Sequence, residues 1–504
     1  MLHTKSVDLE EILMENDELI ELSFSLGIIV GRELKDKYGI DMRIKGNVVL
    51  FTKDELAKVE EVKIKDSKTP LKGIERLPNL RKLSIESTTS DEYEKIGTLP
   101  SINDDDIDCI EKCKNLEELT IVNQTAITKL DLGKLTKLKQ LNIHNNTNLE
   151  TIYGIDKLTE LKQLSCYGNI SLQNIENLDK AIIQNKDSLE KVNLDVMLFP
   201  KAIGYNPFNG SYNQEAMNAI EYINGGITGS KTRAFTGDKV DDKVTWTESL
   251  NLQTNVTIGM HSMLKMHNKA CQILHDILPR NSSTFDTVVA VERYLAENVI
   301  YDDESLNHNH TRTAMTSTRP NGILIKTSHD NGVNGAYDCL IGGSCVCQGY
   351  TRGEQYLLGL KGIKTREVAC IAGEDNEGYS DSSKHRVPGS FSTPKTGFHS
   401  IIRIDGCYSL YSDPCWNACR YQKGDKSMPY TMLTKDEIRK THTLSSQEAN
   451  VGNGAWPEKR SRIAESVETN RLFRNSRTSE VSAQRGALQK DVIGIVRDLN
   501  GNVY

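Results

Sequence analysis

Apolar positions recur at a fixed spacing through the first two hundred residues. Leu-x-x-Leu-x-Ile stands at Leu80–Ile85, Leu116–Ile121 and Leu138–Ile143, with looser copies at Leu161–Cys166 and Leu189–Leu194. The starts of the later copies lie 22, 23 and 28 residues apart. Within each copy the Leu-x-Ile triplet alternates with period two, which predicts a short strand with Leu141 and Ile143 on one face and the earlier leucine packed behind it. One unit cannot bury its apolar face alone, so neighbouring copies are expected to stack into a solenoid with one continuous core. A second pattern, Gly-Ile-x-x-Leu-x-x-Leu, occurs at Gly73–Leu80 and again at Gly154–Leu161.

The spacing changes on either side of this region. Residues 1–50 are expected to form a helical cap, because an apolar solenoid end cannot be left open. Residues 201–259 turn rich in Gly, Asn and Thr and lose the leucine period, which predicts a linker or connecting subdomain. From Met260 the pattern becomes helical. An amphipathic helix is followed by a second one, on which Val288, Val291 and Leu295 share a face. Two strands around Asp405-Gly406 are predicted between Phe398 and Asp413. Residues 446–504 are rich in Arg, Ser, Glu and Asn and read as a mobile polar tail.

Composition narrows the function classes. A chain of 504 residues exceeds one hydrophobic core. A net charge of −7 removes the electrostatic term that drives most nucleic-acid binding. No apolar run is long enough to span a bilayer, and the acidic, amphipathic N-terminus lacks the features of a secretory signal. Eleven cysteines, an odd number, favour free thiols in a reducing compartment. The cytoplasm is the default location, with a non-classical export route left open. Gly225–Thr232 is faintly similar to a phosphate-binding loop, but Ser230 stands where that loop needs glycine before Lys231.

On these motifs the repeats at roughly 50–200 resemble the internalin-like class of bacterial leucine-rich repeats, whose members usually present the strand face to another protein. Ala336-Tyr337-Asp338-Cys339-Leu340 followed by Ile341-Gly342-Gly343-Ser344-Cys345-Val346-Cys347-Gln348-Gly349-Tyr350 resembles the bacterial transglutaminase-like superfamily, with its papain-like cysteine site. The resemblance continues through Phe398-His399, the turn Asp405-Gly406, and Asp413 followed by Trp416, to the segment Tyr430–His442. It departs where Ser400-Ile401 replaces the usual Ala-Trp, and where the strand after His399 is two residues short. The expected fold class is therefore α+β and multidomain: a cap (1–50), a leucine-rich repeat solenoid (51–200), a connecting segment (201–259), a transglutaminase-like α+β domain (260–445) and a tail (446–504).

The chemistry expected of that domain rests on three residues. A cysteine attacks a carbonyl as thiolate, and a free thiol is mostly protonated at neutral pH. The glycine turn at Gly342-Gly343 and a helical stretch ending at Gly362 place Cys347 at a helix N-terminus, where unpaired N–H groups favour an anion and can hold an oxyanion. Cys347 is thus the nucleophile, with Cys345 as the rival. His399 is the base and Asp413 orients it; His385 and His442 are read as loop residues. A two-residue hairpin would pair His399 with Ser412, so a bulge is expected to bring Asp413 round. Tyr337 is a candidate oxyanion donor. The implied function is acyl transfer on a protein substrate, by transamidation, deamidation or proteolysis, without a cofactor. The alternatives are an inactive protein-binding scaffold and a metal site of Cys345, Cys347, Cys415 and Cys419.

Overall fold

A computed structural model of the chain describes residues 19–65, 69–87, 102–225, 243–251, 254–279, 282–302, 315–318, 324–327, 335–373, 397–405, 409–444 and 448. It is a mixed α+β protein in two compact units, Met1–Tyr205 with Ser211–Leu252, and Asn206–Gly210 with Gln253–Tyr504. Among the described residues no helix is long and apolar enough to cross a membrane.

In the first unit, Glu61–Lys65, Lys82–Glu86, Glu118–Val122, Gln140–His144, Gln163–Tyr167, Lys191–Asp195 and Val244–Asn251 lie side by side as parallel strands. Each Leu-x-Ile triplet falls in one strand. The register brings Leu83, Leu119, Leu141 and Leu164 into one row and Ile85, Ile121, Ile143 and Cys166 into the next. These side chains are buried, as are Leu80, Leu116, Leu138, Leu161 and Leu189 behind them. Each fully buried leucine or isoleucine contributes about 1.5–3 kcal/mol, so the rows account for why the strands stack. The strand face opposite this core carries Ser84, Thr120, Asn142 and Ser165, all half-buried.

Buried amides close the strand ends. Ile102 N–H donates to Gln124 Oε1 (2.9 Å), Gln124 N–H to Asn146 Oδ1 (2.9 Å) and Asn146 N–H to Asn169 Oδ1 (2.9 Å). The residues before two of these rungs, Asn123 and Asn145, have positive φ, which turns the chain out of the strand. The Gly-Ile pattern also has a local cause: Gly73 (φ 104°) and Gly154 (φ 70°) each begin a 3₁₀ turn in a left-handed conformation. In the segment 1–50 expected as a helical cap, the described residues hold one helix and, with Phe51, a three-stranded antiparallel sheet. The expected connecting segment holds the helix Gln214–Ile223 and the strand Val244–Asn251, and the boundary between the units falls within it. Of the loop Gly225–Thr232, all but Gly225 lies outside the described residues, as does the tail apart from Glu448.

The second unit is built from α1 (Met260–Ile277), α2 (Thr284–Asn298), α3 (Cys347–Leu360) and α4 (Pro414–Gln422). Its antiparallel sheet contains β1 (Thr365–Ala372), β2 (Gly397–Ile404), β3 (Leu410–Ser412) and β4 (His442–Leu444), in the order β3-β2-β1-β4. α2 starts at a capping box between Ser283 and Asp286, which satisfies two otherwise unpaired N–H groups. α3 is the central helix and is buried along nearly its whole length. Its polar residues are matched: Thr351 Oγ1 donates to the Ser400 carbonyl (2.9 Å), and Arg352 pairs with Glu367 (2.8 Å). These contacts fix α3 against β1 and β2, on which the candidate site depends.

Candidate active site

The site is assembled where α3 begins. The π-turn Asp338–Gly342 ends at Gly343 (φ 72°), and the two-residue strand Ser344–Cys345 pairs with Ile300–Tyr301. Val346 then caps α3, so Cys347 is its first residue, as the glycine turn predicts. Cys347 keeps 9% of its surface exposed. Its thiol is raised to about 12, chiefly by burial; the backbone N–H groups of Ser400 and Gln348 act the other way, and the charges of Asp413 and Glu367 add to the rise.

His399 lies on β2, fully buried, with Nε2 2.9 Å from Asp413 Oδ2. Because Nε2 faces the carboxylate, Nδ1 is the ring nitrogen directed away from it. Asp413 reaches this position by a route the hairpin reading does not foresee. The observed register pairs Ile402 with Ser412 and Ile404 with Leu410, not His399 with Ser412. No bulge is involved: β3 ends at Ser412, Pro414 starts α4, and Asp413 is the N-cap of that helix. Its Oδ1 accepts from Trp416 N–H (2.9 Å), which leaves Oδ2 to turn back over the sheet. Burial opposes its ionisation, but the two histidines beside it hold the carboxyl well below the usual carboxylate range.

The second of these histidines is His442, which sequence reasoning assigned to a loop. It lies on β4 opposite Ala372, with Nε2 3.1 Å from the same Asp413 Oδ2. Trp416 packs against both rings, its centroid 5.9 Å from His399 and 4.6 Å from His442. His385 lies outside the described residues. Tyr337, the candidate oxyanion donor, is half-buried at the start of the π-turn Asp338–Gly342. Cys345 is fully buried on its short strand, where burial first and then its neighbour Cys339 raise its thiol well above the ordinary value.

The sequence matches no family model and no curated protein. The site therefore stands on its geometry. Among the described residues, the donor atoms of His399, Asp413 and His442 lie within 4.8 Å of one another, a spacing compatible with a metal ion. Cys345, Cys347, Cys415 and Cys419 do not form such a group. Behind the cluster lie two fully buried carboxyls, Glu292 on α2 and Glu354 on α3. Glu292 Oε2 accepts from Asn417 (2.5 Å) and Thr431 (2.7 Å), whereas neither oxygen of Glu354 has a hydrogen-bond partner. Burial raises both, Glu292 to about 7 and Glu354 well above its ordinary value. Glu354 was findable in sequence: it stands two helical turns after Cys347, on the same face of α3. His442 offered only the weak signal of a three-residue strand.

Proposed function

We propose that the protein is a cysteine-dependent acyl-transfer enzyme acting on a protein substrate, through Cys347, His399 and Asp413, in a transglutaminase-like α+β domain. The first unit is proposed as a leucine-rich repeat solenoid whose outward strand face presents the substrate. One observation carries this reading: Cys347 opens α3, whose Thr351, one turn on, donates to the Ser400 carbonyl (2.9 Å), next to a histidine whose Nε2 is held 2.9 Å from a buried carboxylate.

Alone, a thiol pushed up to about 12 stays protonated at neutral pH. A thiolate therefore forms by handing its proton to His399, whose imidazolium is balanced by Asp413. The sulfur lone pair then forms an S–C bond to a glutamine side-chain or peptide carbonyl, and the C=O π pair moves to oxygen. In this reading the N–H groups at the start of α3 receive the developing oxyanion. As the pair returns, the C–N bond breaks, and His399 protonates the leaving nitrogen. Water or an amine, deprotonated by His399, resolves the thioester and restores the thiolate.

The test is mass spectrometry of candidate protein substrates incubated with wild type and with Cys347→Ala. Conversion of an amide to an acid, an amine adduct or a cleavage names the reaction, provided that it disappears in the variant. Absence of any Cys347-dependent change rejects the enzyme. The low exposure of Cys347 favours a second reading, an inactive binding scaffold. In that case Cys347 labels no faster with a thiol probe at neutral pH than the other buried cysteines.

A further inference from the structure

The triad uses two members of a three-residue cluster. The third, His442 on β4, has a fully buried side chain whose Nε2 lies 3.1 Å from the Asp413 Oδ2 that is 2.9 Å from His399 Nε2. Two imidazole nitrogens and a carboxylate oxygen, brought from β2, β4 and the cap of α4, thus all lie within 4.8 Å of one another. Contacts on the far side hold two of these groups in that aim. Asp413 Oδ1 accepts from Trp416 N–H (2.9 Å), which turns Oδ2 to the imidazoles. The Thr441 hydroxyl donates to the Ile438 carbonyl (3.3 Å), so its oxygen accepts from His442 Nδ1 (2.9 Å) and Nε2 is presented to the cluster. Trp416 lies against both imidazole rings, and Tyr430 packs edge-on against Trp416 with 5.0 Å between centroids. A hydrogen bond to the second ring nitrogen, a hydrogen-bonded carboxylate and an apolar wall are the outer contacts that fix the ligands of a metal ion.

We propose that His399, Asp413 and His442 form a zinc site, and that zinc bound there switches off the chemistry of Cys347. Imidazole nitrogen with carboxylate oxygen is a donor set for zinc and its first-row neighbours, whereas calcium and magnesium take oxygen ligands. An ion about 2.0–2.1 Å from each atom holds tetrahedral neighbours about 3.3–3.4 Å apart, so the two measured separations need to open by roughly 0.2–0.5 Å. Any proton on either Nε2 leaves to solvent as the ion enters, and water takes the remaining position. The ligated His399 then carries its one proton on Nδ1 and has no nitrogen left to accept the thiol proton. The site itself stands on the geometry of the cluster; the switching-off rests on the triad reading above.

The experiment starts from full-length protein stripped with a chelator and dialysed, into which zinc is titrated in competition with a chromophoric zinc chelator. Wild type should take up one zinc per chain. His442→Phe, which keeps an aromatic ring beside Trp416, should bind it about 100-fold more weakly or worse, since even the loss of an outer contact can cost that much. Cobalt, used in place of zinc, reports the ligands: wild type should show no thiolate-to-cobalt absorption, and His442→Cys should create one. The rate of Cys347 labelling by iodoacetamide, read on its own peptide, should fall when zinc is added to wild type, recover with chelator, and be unmoved in His442→Phe at the same zinc concentration. Equal affinity in wild type and a folded His442→Phe overturns the site, as does a thiolate band in the wild-type cobalt spectrum, which would assign the metal to the cysteines. If neither variant folds, the wild-type cobalt spectrum decides, a bound ion without thiolate supporting the site and no bound ion overturning it. No zinc uptake with fast labelling of Cys347 overturns the inference and leaves the triad intact. Zinc uptake as expected, with Cys347 labelling no faster than the other buried cysteines before zinc is added, overturns the triad and the switching-off and leaves the site standing.

Discussion

Replacing Glu292 by Gln should make the protein's stability less dependent on pH. Glu292 is fully buried on α2, with Oε2 held by Asn417 and Thr431, while Oε1 has no hydrogen-bond partner. Burial is the main reason its carboxyl rises from 4.5 to about 7; the neighbouring Thr431, Ser412 and Asn417 side chains restrain the rise, and the Asp413 charge adds to it. A shift of that size corresponds to about 3 kcal/mol. The folded chain keeps a proton that the unfolded chain releases, so this contribution is fully present below pH 4.5 and is lost as pH rises through about 7. Gln keeps an oxygen for the two donors and cannot ionise. Urea unfolding followed by circular dichroism between pH 5 and 8 should give a variant-minus-wild-type difference that grows by about 3 kcal/mol across the range. Other titrating groups are common to both proteins and largely cancel in that difference. A difference that does not change with pH would refute the assignment of a neutral buried acid to Glu292.

Further outcomes follow from single contacts. Asp413 has a lowered folded value, so its contribution is present above pH 3.8 and is lost as pH falls. Asp413→Asn should therefore flatten the acid limb of stability, and loss of the base's orienter should reduce any Cys347-dependent turnover by about 10²–10⁴-fold. Gly154→Ala adds a methyl 2.4 Å from Gly133 N at φ 70°, and should lower unfolding stability by about 1–3 kcal/mol; an unchanged melting curve would show that the turn relaxes freely. Asn146→Leu strands the Gln124 N–H and the Ile121 carbonyl, at a cost of about 2 kcal/mol or more, with faster amide exchange at Gln124 as the local signature. Substitution of Tyr167, which stacks on His144 on the outward strand face, should reduce activity on a protein substrate and spare a small amide.

Local sequence determined the features whose causes are local. The Leu-x-Ile period set the strands, because alternation alone decides which side chains a strand can bury. Gly73 and Gly154 marked the two turns that need a left-handed backbone, and the Gly342-Gly343 turn placed Cys347 at a helix start. The histidine on β2 was legible for the same reason. The partners of these residues were not. Asp413 meets His399 as the cap of α4, and a hairpin rule cannot count a strand that ends in a helix. His442 and Glu292 come from elements well separated along the chain, and no spacing encodes their meeting with the residues of α3. Backbone conformation is chosen by neighbours along the chain. Which carboxylate lies beside which imidazole, how far each is from water, and therefore which of them is charged, were decided only when α2, α3, α4 and the sheet packed together.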